Sequence, residues 1–151
     1  PKEEVPRVEE EVQVTYSDIK KEFVNSSVML TMDNGTYYVN GVIKDGAFTG
    51  TIQSDGNTNK VYYNGVMYLV NKGEKTETGL YSELNDKLIL PKDIVGIIDN
   101  YNGLLKTTSD DKSYTYDIDG AKYVVYVKEE KICKVTYEKD NLVYTLEYNY
   151  L

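Results

Sequence analysis

Asp117 and Asp119 stand two residues apart in Tyr114-Thr115-Tyr116-Asp117-Ile118-Asp119-Gly120, a spacing that puts both carboxyls on one face of an extended strand. Paired carboxyls are the raw material of acid–base hydrolysis. A glycosidase, however, holds them across a cleft at a set separation, and this spacing provides no cleft. They read as solvated turn carboxylates. Asp55-Gly56-Asn57-Thr58-Asn59 places three oxygen-bearing side chains at alternate positions, as a calcium loop begins. Such a loop needs glycine at its sixth position and glutamate at its twelfth; here they are Lys60 and Val66, so a polar hairpin turn is expected instead. Cys133 is the only cysteine, so no internal disulfide forms. It is expected to be a small buried residue on the strand face it shares with Val135 and Tyr137, not a nucleophile. Asn25-Ser26-Ser27 and Asn34-Gly35-Thr36 match the N-glycosylation pattern, but both read as structural. No histidine occurs, which excludes Ser-His-Asp and Cys-His catalysis and most zinc sites. A non-enzymatic protein with no cofactor and no metal is the expectation.

The remaining chemistry belongs to tyrosine. Sixteen Tyr stand against two Phe and no Trp. Tyr favours strands and can bury a flat ring while its hydroxyl stays wet, which suits a binding face. Tyr62, Tyr68, Tyr114, Tyr116, Tyr144 and Tyr148 are the candidates to line a concave surface for an apolar or carbohydrate ligand. The plainer alternative packs them against an apolar helix stripe of Ile94, Ile97 and Ile98, and the two are compatible at different positions. A net charge of −8, from 17 Lys+Arg against 25 Asp+Glu, argues against nucleic acid as a partner. The 151 residues make one domain, and no apolar run approaches the ~20 residues of a membrane span.

These side chains need elements to position them. Residues 1–13, PKEEVPRVEEEVQ, hold two prolines and five glutamates and are expected to be a flexible acidic leader before one domain over 14–151. A first helix is expected within Thr15–Val24, capped by Thr15 or Ser17, with Ile19, Phe23 and Tyr16 on one stripe. From Val28 to Tyr81 short β-rich runs are cut by Asn34-Gly35, Asn40-Gly41, Asp45-Gly46, Asp55-Gly56 and Asn64-Gly65; at least three of these should be hairpin turns. A second helix is expected within Leu88–Asn100, opened by Pro91, favoured by Asp93 near its N-terminus, and apolar along Ile94, Ile97, Ile98 and Tyr101. Gly96 in that helix suggests close packing on a sheet. The last third reads as an antiparallel meander with turns at Asp119-Gly120, Glu129-Glu130 and Asp140-Asn141. In its final strand Leu142, Tyr144, Leu146 and Tyr148 share the greasy face, which the central helix should cover. The fold class expected is α+β: a curved antiparallel sheet, or half-barrel, packed over one or two short helices.

The order of hairpin-rich strands ending in Val61-Tyr62-Tyr63-Asn64-Gly65-Val66-Met67-Tyr68-Leu69-Val70, a Pro-led helix at 91–100, then the Ile118-Asp119-Gly120 hairpin resembles the LolA/LppX-like group of lipoprotein carriers. That resemblance implies a curved half-barrel around helices with lipid in the hollow. It covers about the last two-thirds of the chain, which is shorter than the group's members. Tyr37-Tyr38-Val39-Asn40-Gly41 and Tyr62-Tyr63-Asn64-Gly65 also resemble the tyrosine-rich hairpins of choline-binding and other cell-wall-binding repeats, although the period is unsteady and Trp is absent. The expected function is an exported, membrane-tethered binding lipoprotein domain at the cell surface. Its ligand would be a lipid or other apolar molecule, with tyrosine hydroxyls at the rim orienting a polar headgroup. Membrane contact would come only through an N-terminal anchor that the sequence does not contain. The alternative is a surface module whose Tyr-rich hairpins, Tyr37 to Tyr68, grip a cell-wall glycan or a protein partner. Inward rings favour the first reading and outward rings the second.

Overall fold

Two-residue turns cut most of this chain into strands. The computed structural model describes residues 8–12, 27–88, 90–107 and 111–151. The helix expected within 15–24, and Asn25 of the first glycosylation pattern, lie outside them. Asp45-Gly46, Asp55-Gly56 and Asp119-Gly120 each take positive φ at both residues, the geometry whose twist matches the flanking strands. Asn34-Gly35 and Asn64-Gly65 lie in slightly longer loops, with Gly35 at φ +88° and Gly65 at φ +109°. Around the first of these, the Asn34 Oδ1 accepts the backbone N–H of Thr36 at 3.0 Å and of Tyr37 at 2.7 Å, so this asparagine holds the loop together. Asn40-Gly41 is different: it lies inside a strand. Gly41 faces Gly50 across the ladder, and a Cβ on either would lie 2.6 Å from the other's Cα, with the Phe48 ring against both. Glycine serves close backbone approach here rather than a turn.

The strands are β1 (Val8–Val12), β2 (Val28–Asp33), β3 (Tyr38–Lys44), β4 (Ala47–Ser54), β5 (Asn57–Tyr63), β6 (Met67–Asn71), β7 (Glu74–Glu77), β8 (Gly103–Thr107), β9 (Asp111–Ile118), β10 (Ala121–Lys128), β11 (Lys131–Lys139) and β12 (Leu142–Tyr150). They form one sheet in the order β1-β8-β9-β10-β11-β12-β2-β3-β4-β5-β6-β7. Every neighbouring pair is antiparallel. Two meanders, β2–β7 and β8–β12, are thus stitched together where β12 pairs with β2. The sheet is open, with β1 and β7 as its edges. Residues 8–12, expected in the leader, pair with β8, from Val8 opposite Thr107 to Val12 opposite Gly103. The one α-helix among the described residues, α1 (Pro91–Asn100), lies on the crossover from β7 to β8, after a short 3-10 turn at Ser82–Leu84. The antiparallel sheet packed against a short helix is as expected, but the fold is mainly β rather than α+β: the helical content of the described residues is confined to one crossover.

Alternation along the strands sorts residues onto two faces. Val28, Leu30 and Met32 of β2, Val39 and Ile43 of β3, Phe48 and Ile52 of β4, and Tyr144, Leu146 and Tyr148 of β12 are all buried on the inner face. Leu142, expected on that face, is exposed at the end of β12. The crossover covers this face through Tyr81, Leu84, Leu88, Leu90, Ile94 and Ile98, which belong to the same apolar cluster. In α1, Pro91 takes the first helical position and the Asp93 carboxylate accepts the Leu90 N–H at 3.0 Å. Tyr101 ends outside the helix and exposed, so the stripe stops at Ile98. A Cβ at Gly96 would meet no described atom within 4 Å outside its own helix, so close packing on the sheet does not explain this glycine. Cys133 departs from the simple alternation as well. Tyr126 pairs with Lys134 and Val127 with Ile132, leaving Cys133 as the extra residue of a β-bulge. Ile132 rather than Cys133 takes the buried position, and the half-buried Cys133 thiol donates to the Tyr126 carbonyl at 3.5 Å.

Candidate ligand-binding face

The inner face of the C-terminal meander is built from tyrosine. Tyr114 and Tyr116 alternate on β9, Tyr137 lies on β11, and Tyr144 and Tyr148 on β12, all buried. Tyr137 stacks edge-on to Tyr123 at 5.0 Å between ring centroids and to Tyr144 at 5.6 Å. Ile94 and Ile98 of α1 are fully buried in the same cluster, and Ile97 packs against it half-buried. Of the nine residues expected to form the site, seven thus contribute to one apolar interior. The structure does not bring Tyr62 and Tyr68 to it. In β5 the inward positions fall to Val61 and Tyr63, and in β6 to Met67, so Tyr62 and Tyr68 face each other on the outer side with centroids 6.0 Å apart. The Lys75 ammonium sits 3.8 Å from the Tyr62 ring centre.

Polar pins fix the crossover over the sheet. The backbone N–H of Asp86 donates to the Tyr63 hydroxyl at 3.1 Å, and the Asn59 amide donates to the Tyr81 hydroxyl at 2.6 Å. The Lys87 ammonium lies 4.8 Å from the Tyr137 ring centre. Neither Tyr63 nor Tyr81 was singled out from sequence. Tyr63 had a usable signal, because it keeps step with the apolar Val61 whereas Tyr62 keeps step with Lys60.

One hydroxyl in this interior is left over. Tyr116 is fully buried and its hydroxyl has no hydrogen-bond partner among the described residues. Burial pushes its ionisation up to about 12, with nearby Tyr114 adding to the effect. Burial also holds the Tyr148 hydroxyl well above the ordinary tyrosine value. Gly103 of β8 makes room for the Tyr116 ring, since a Cβ there would lie 2.8 Å from the ring and 3.0 Å from its hydroxyl oxygen. The result is a neutral O–H donor in an apolar setting. Hollows also lie elsewhere. One, about 360 Å³, opens on the outer side of β8–β10 among Lys106, Lys112, Lys122 and Tyr126. A second, about 210 Å³, lies where the β4–β5 turn meets the start of the crossover, and a shallow third, about 500 Å³, lies among Lys122, Glu138 and the Asp140-Asn141 turn.

No protein-family model matches the chain, and no curated protein matches it in sequence. Among solved structures it is similar to LprF from Mycobacterium bovis, with a TM-score of 0.53 and 13% identity over 89% of this chain and 90% of that one. The likeness is one of fold alone.

Proposed function

We propose that this protein is a non-enzymatic, carrier-type binding domain of an exported lipoprotein, a half-barrel holding a lipid or other apolar ligand between the inner sheet face and the crossover. The observation that carries the proposal is the Tyr116 hydroxyl, buried among rings and aliphatic side chains without a hydrogen-bond partner among the described residues. An unsatisfied buried donor costs on the order of 1–3 kcal/mol, and proteins seldom keep one without use for it. An ester or carboxyl oxygen of a lipid is an acceptor that would satisfy it. Affinity would come mainly from the chain, at about 0.8 kcal/mol per buried CH₂. Room for that chain requires the crossover to lift. The bonds at Tyr63 and Tyr81 and the Lys87 contact with the Tyr137 ring would break and re-form as it does so, outside the strand ladders. Ile94, Ile97 and Ile98 would then pack on the ligand instead of on the tyrosines. The carrier-like fold supports the same reading.

Native mass spectrometry after gentle purification tests it, alongside titration of solvent-extracted, refolded protein with a pyrene-labelled fatty acid. A retained mass removed by extraction, together with saturable 1:1 uptake, is expected. Absence of both would overturn the proposal.

A further inference from the structure

The loop between β2 and β3 sets one asparagine among groups that can act on it. Asp33 ends β2, and its Oδ1 accepts the backbone N–H of Gly35 at 2.8 Å. Asn34 stands between the two. Its own N–H donates to the Tyr37 carbonyl at 3.3 Å, and its side-chain oxygen accepts the N–H groups of Thr36 at 3.0 Å and Tyr37 at 2.7 Å. Gly35 has φ +88°, and a Cβ there would meet nothing within 4 Å, so its nitrogen lies open. The chain's other Asn-Gly steps are built differently. Asn64 follows Tyr63 rather than an acid, and among the described residues its oxygen accepts only the Val66 N–H, at 3.1 Å. Asn40-Gly41 lies within β3 and Gly103, after Asn102, opens β8, so strand geometry governs both.

An asparagine can be attacked at its side-chain carbonyl by the nitrogen of the next residue. The attack needs a base for that nitrogen's proton and donors for the charge that develops on the carbonyl oxygen. Here the Asp33 carboxylate already holds the Gly35 proton, and two backbone N–H groups meet the Asn34 oxygen at the distances of an oxyanion hole. We propose that Asn34-Gly35 is a self-processing site, at which the folded loop converts Asn34 to aspartate or isoaspartate through a succinimide. The Gly35 nitrogen bonds to Asn34 Cγ as its proton passes to the Asp33 carboxylate. The bond from Cγ to the amide nitrogen then breaks, Asp33 returns the proton to that nitrogen, and ammonia leaves. One water opens the ring, and Asp33 ends unchanged. The product carries one more negative charge beside Tyr37, whose ring meets that of Tyr81 on the crossover at 5.9 Å. The inference does not depend on the ligand reading.

Peptide mapping by mass spectrometry, after incubation of the intact protein in warm neutral buffer, tests it with each Asn-Gly step read separately. Asn34 should convert about tenfold faster than Asn64 in the folded protein, a modest share of what a placed base and two oxyanion donors contribute. In concentrated urea the two should convert at equal rates, since the lead belongs to the fold; this comparison needs no variant. Asp33→Asn keeps an acceptor for the Gly35 N–H but removes the base. It should slow Asn34 about tenfold and leave Asn64, the internal control for folding, unchanged. Asn34 converting no faster than Asn64, a lead that persists in urea, or an undiminished rate in Asp33→Asn would overturn the proposal.

Discussion

The Tyr116 hydroxyl imposes a cost on the unliganded protein that no described neighbour offsets. Tyr116→Phe removes the oxygen and leaves the ring, so it should stabilise the ligand-free protein by about 1 kcal/mol in urea unfolding while weakening uptake of a pyrene-labelled fatty acid. A loss of stability would mean that the hydroxyl has a partner after all. The pH dependence has a definite sign. The folded protein holds the Tyr116 proton up to about 12, whereas an unfolded tyrosine loses it near 10. Its stabilising contribution is therefore complete below pH 10 and is lost as pH rises through 12, because the unfolded chain then binds fewer protons. Measured from pH 9 to 12, the stability of Tyr116→Phe should fall less steeply than that of the native protein. At this scale sequence went far, though unevenly. Tyr114, Tyr116, Tyr144 and Tyr148 were legible because strict alternation runs through both of their strands. Tyr62 and Tyr68 were not, because Tyr62-Tyr63 offers a tyrosine to either face. The phase is decided by partners in other strands: Phe48 and Met67 lie opposite Tyr63 and take it inward.

Among the elements, turns and close strand contacts set the energetics. The Glu129-Glu130 turn holds two non-glycine residues at φ +53° and +64°, a left-handed geometry that L-residues adopt at a cost, and it places like charges side by side. Replacing the pair with Asn-Gly keeps the turn and should raise stability by about 1 kcal/mol, read as an upward shift of the thermal midpoint. The β3–β4 contact predicts the opposite sign. A methyl at Gly50 would meet Gly41 Cα at 2.6 Å and the Asn40 carbonyl oxygen closer still, and backbone atoms cannot swing aside. Gly50→Ala should cost roughly 1–3 kcal/mol in denaturant unfolding; a neutral result would show that these strands can separate slightly without penalty. These two cases also show why turns were easier to locate than irregularities within strands. Asp119-Gly120, Glu129-Glu130 and Asp140-Asn141 each interrupt an alternating pattern and so announce themselves. Asn40-Gly41 carries the same letters, but its glycine answers to Gly50 nine positions away. At Cys133 the bulge shifts the strand phase by one residue, and nothing local to Lys131–Lys134 signals that shift.

Across the whole molecule, what sequence did not disclose is how the meanders join. Each follows its own turns, but Leu146 opposite Met32 and Tyr150 opposite Val28 are pairings between the two ends of the described domain, which no short-range pattern encodes. The β1–β8 pair is another, and it draws Glu-rich sequence that resembles a tether into a sheet edge. Joining in this way leaves the sheet open, so among the described residues two strand edges, β1 and β7, need protection from pairing with other chains. β7 shows one means of protection. It is short, every residue in Glu74-Lys75-Thr76-Glu77 is exposed, and three of the four are charged. A second chain docking here would bring carboxylates toward carboxylates in antiparallel register, Glu74 facing Glu77. Glu74→Thr with Glu77→Thr removes that repulsion and substitutes good strand formers, while Lys75 stays over the Tyr62 ring. Removing two of the 25 acidic residues moves the net charge only from −8 to −6, so general solubility should persist. Sedimentation velocity across a hundredfold concentration range should show association of the double variant at concentrations where the native chain's sedimentation does not change. Identical profiles for the two would mean that the β7 carboxylates do not guard the edge, and that its short length alone suffices.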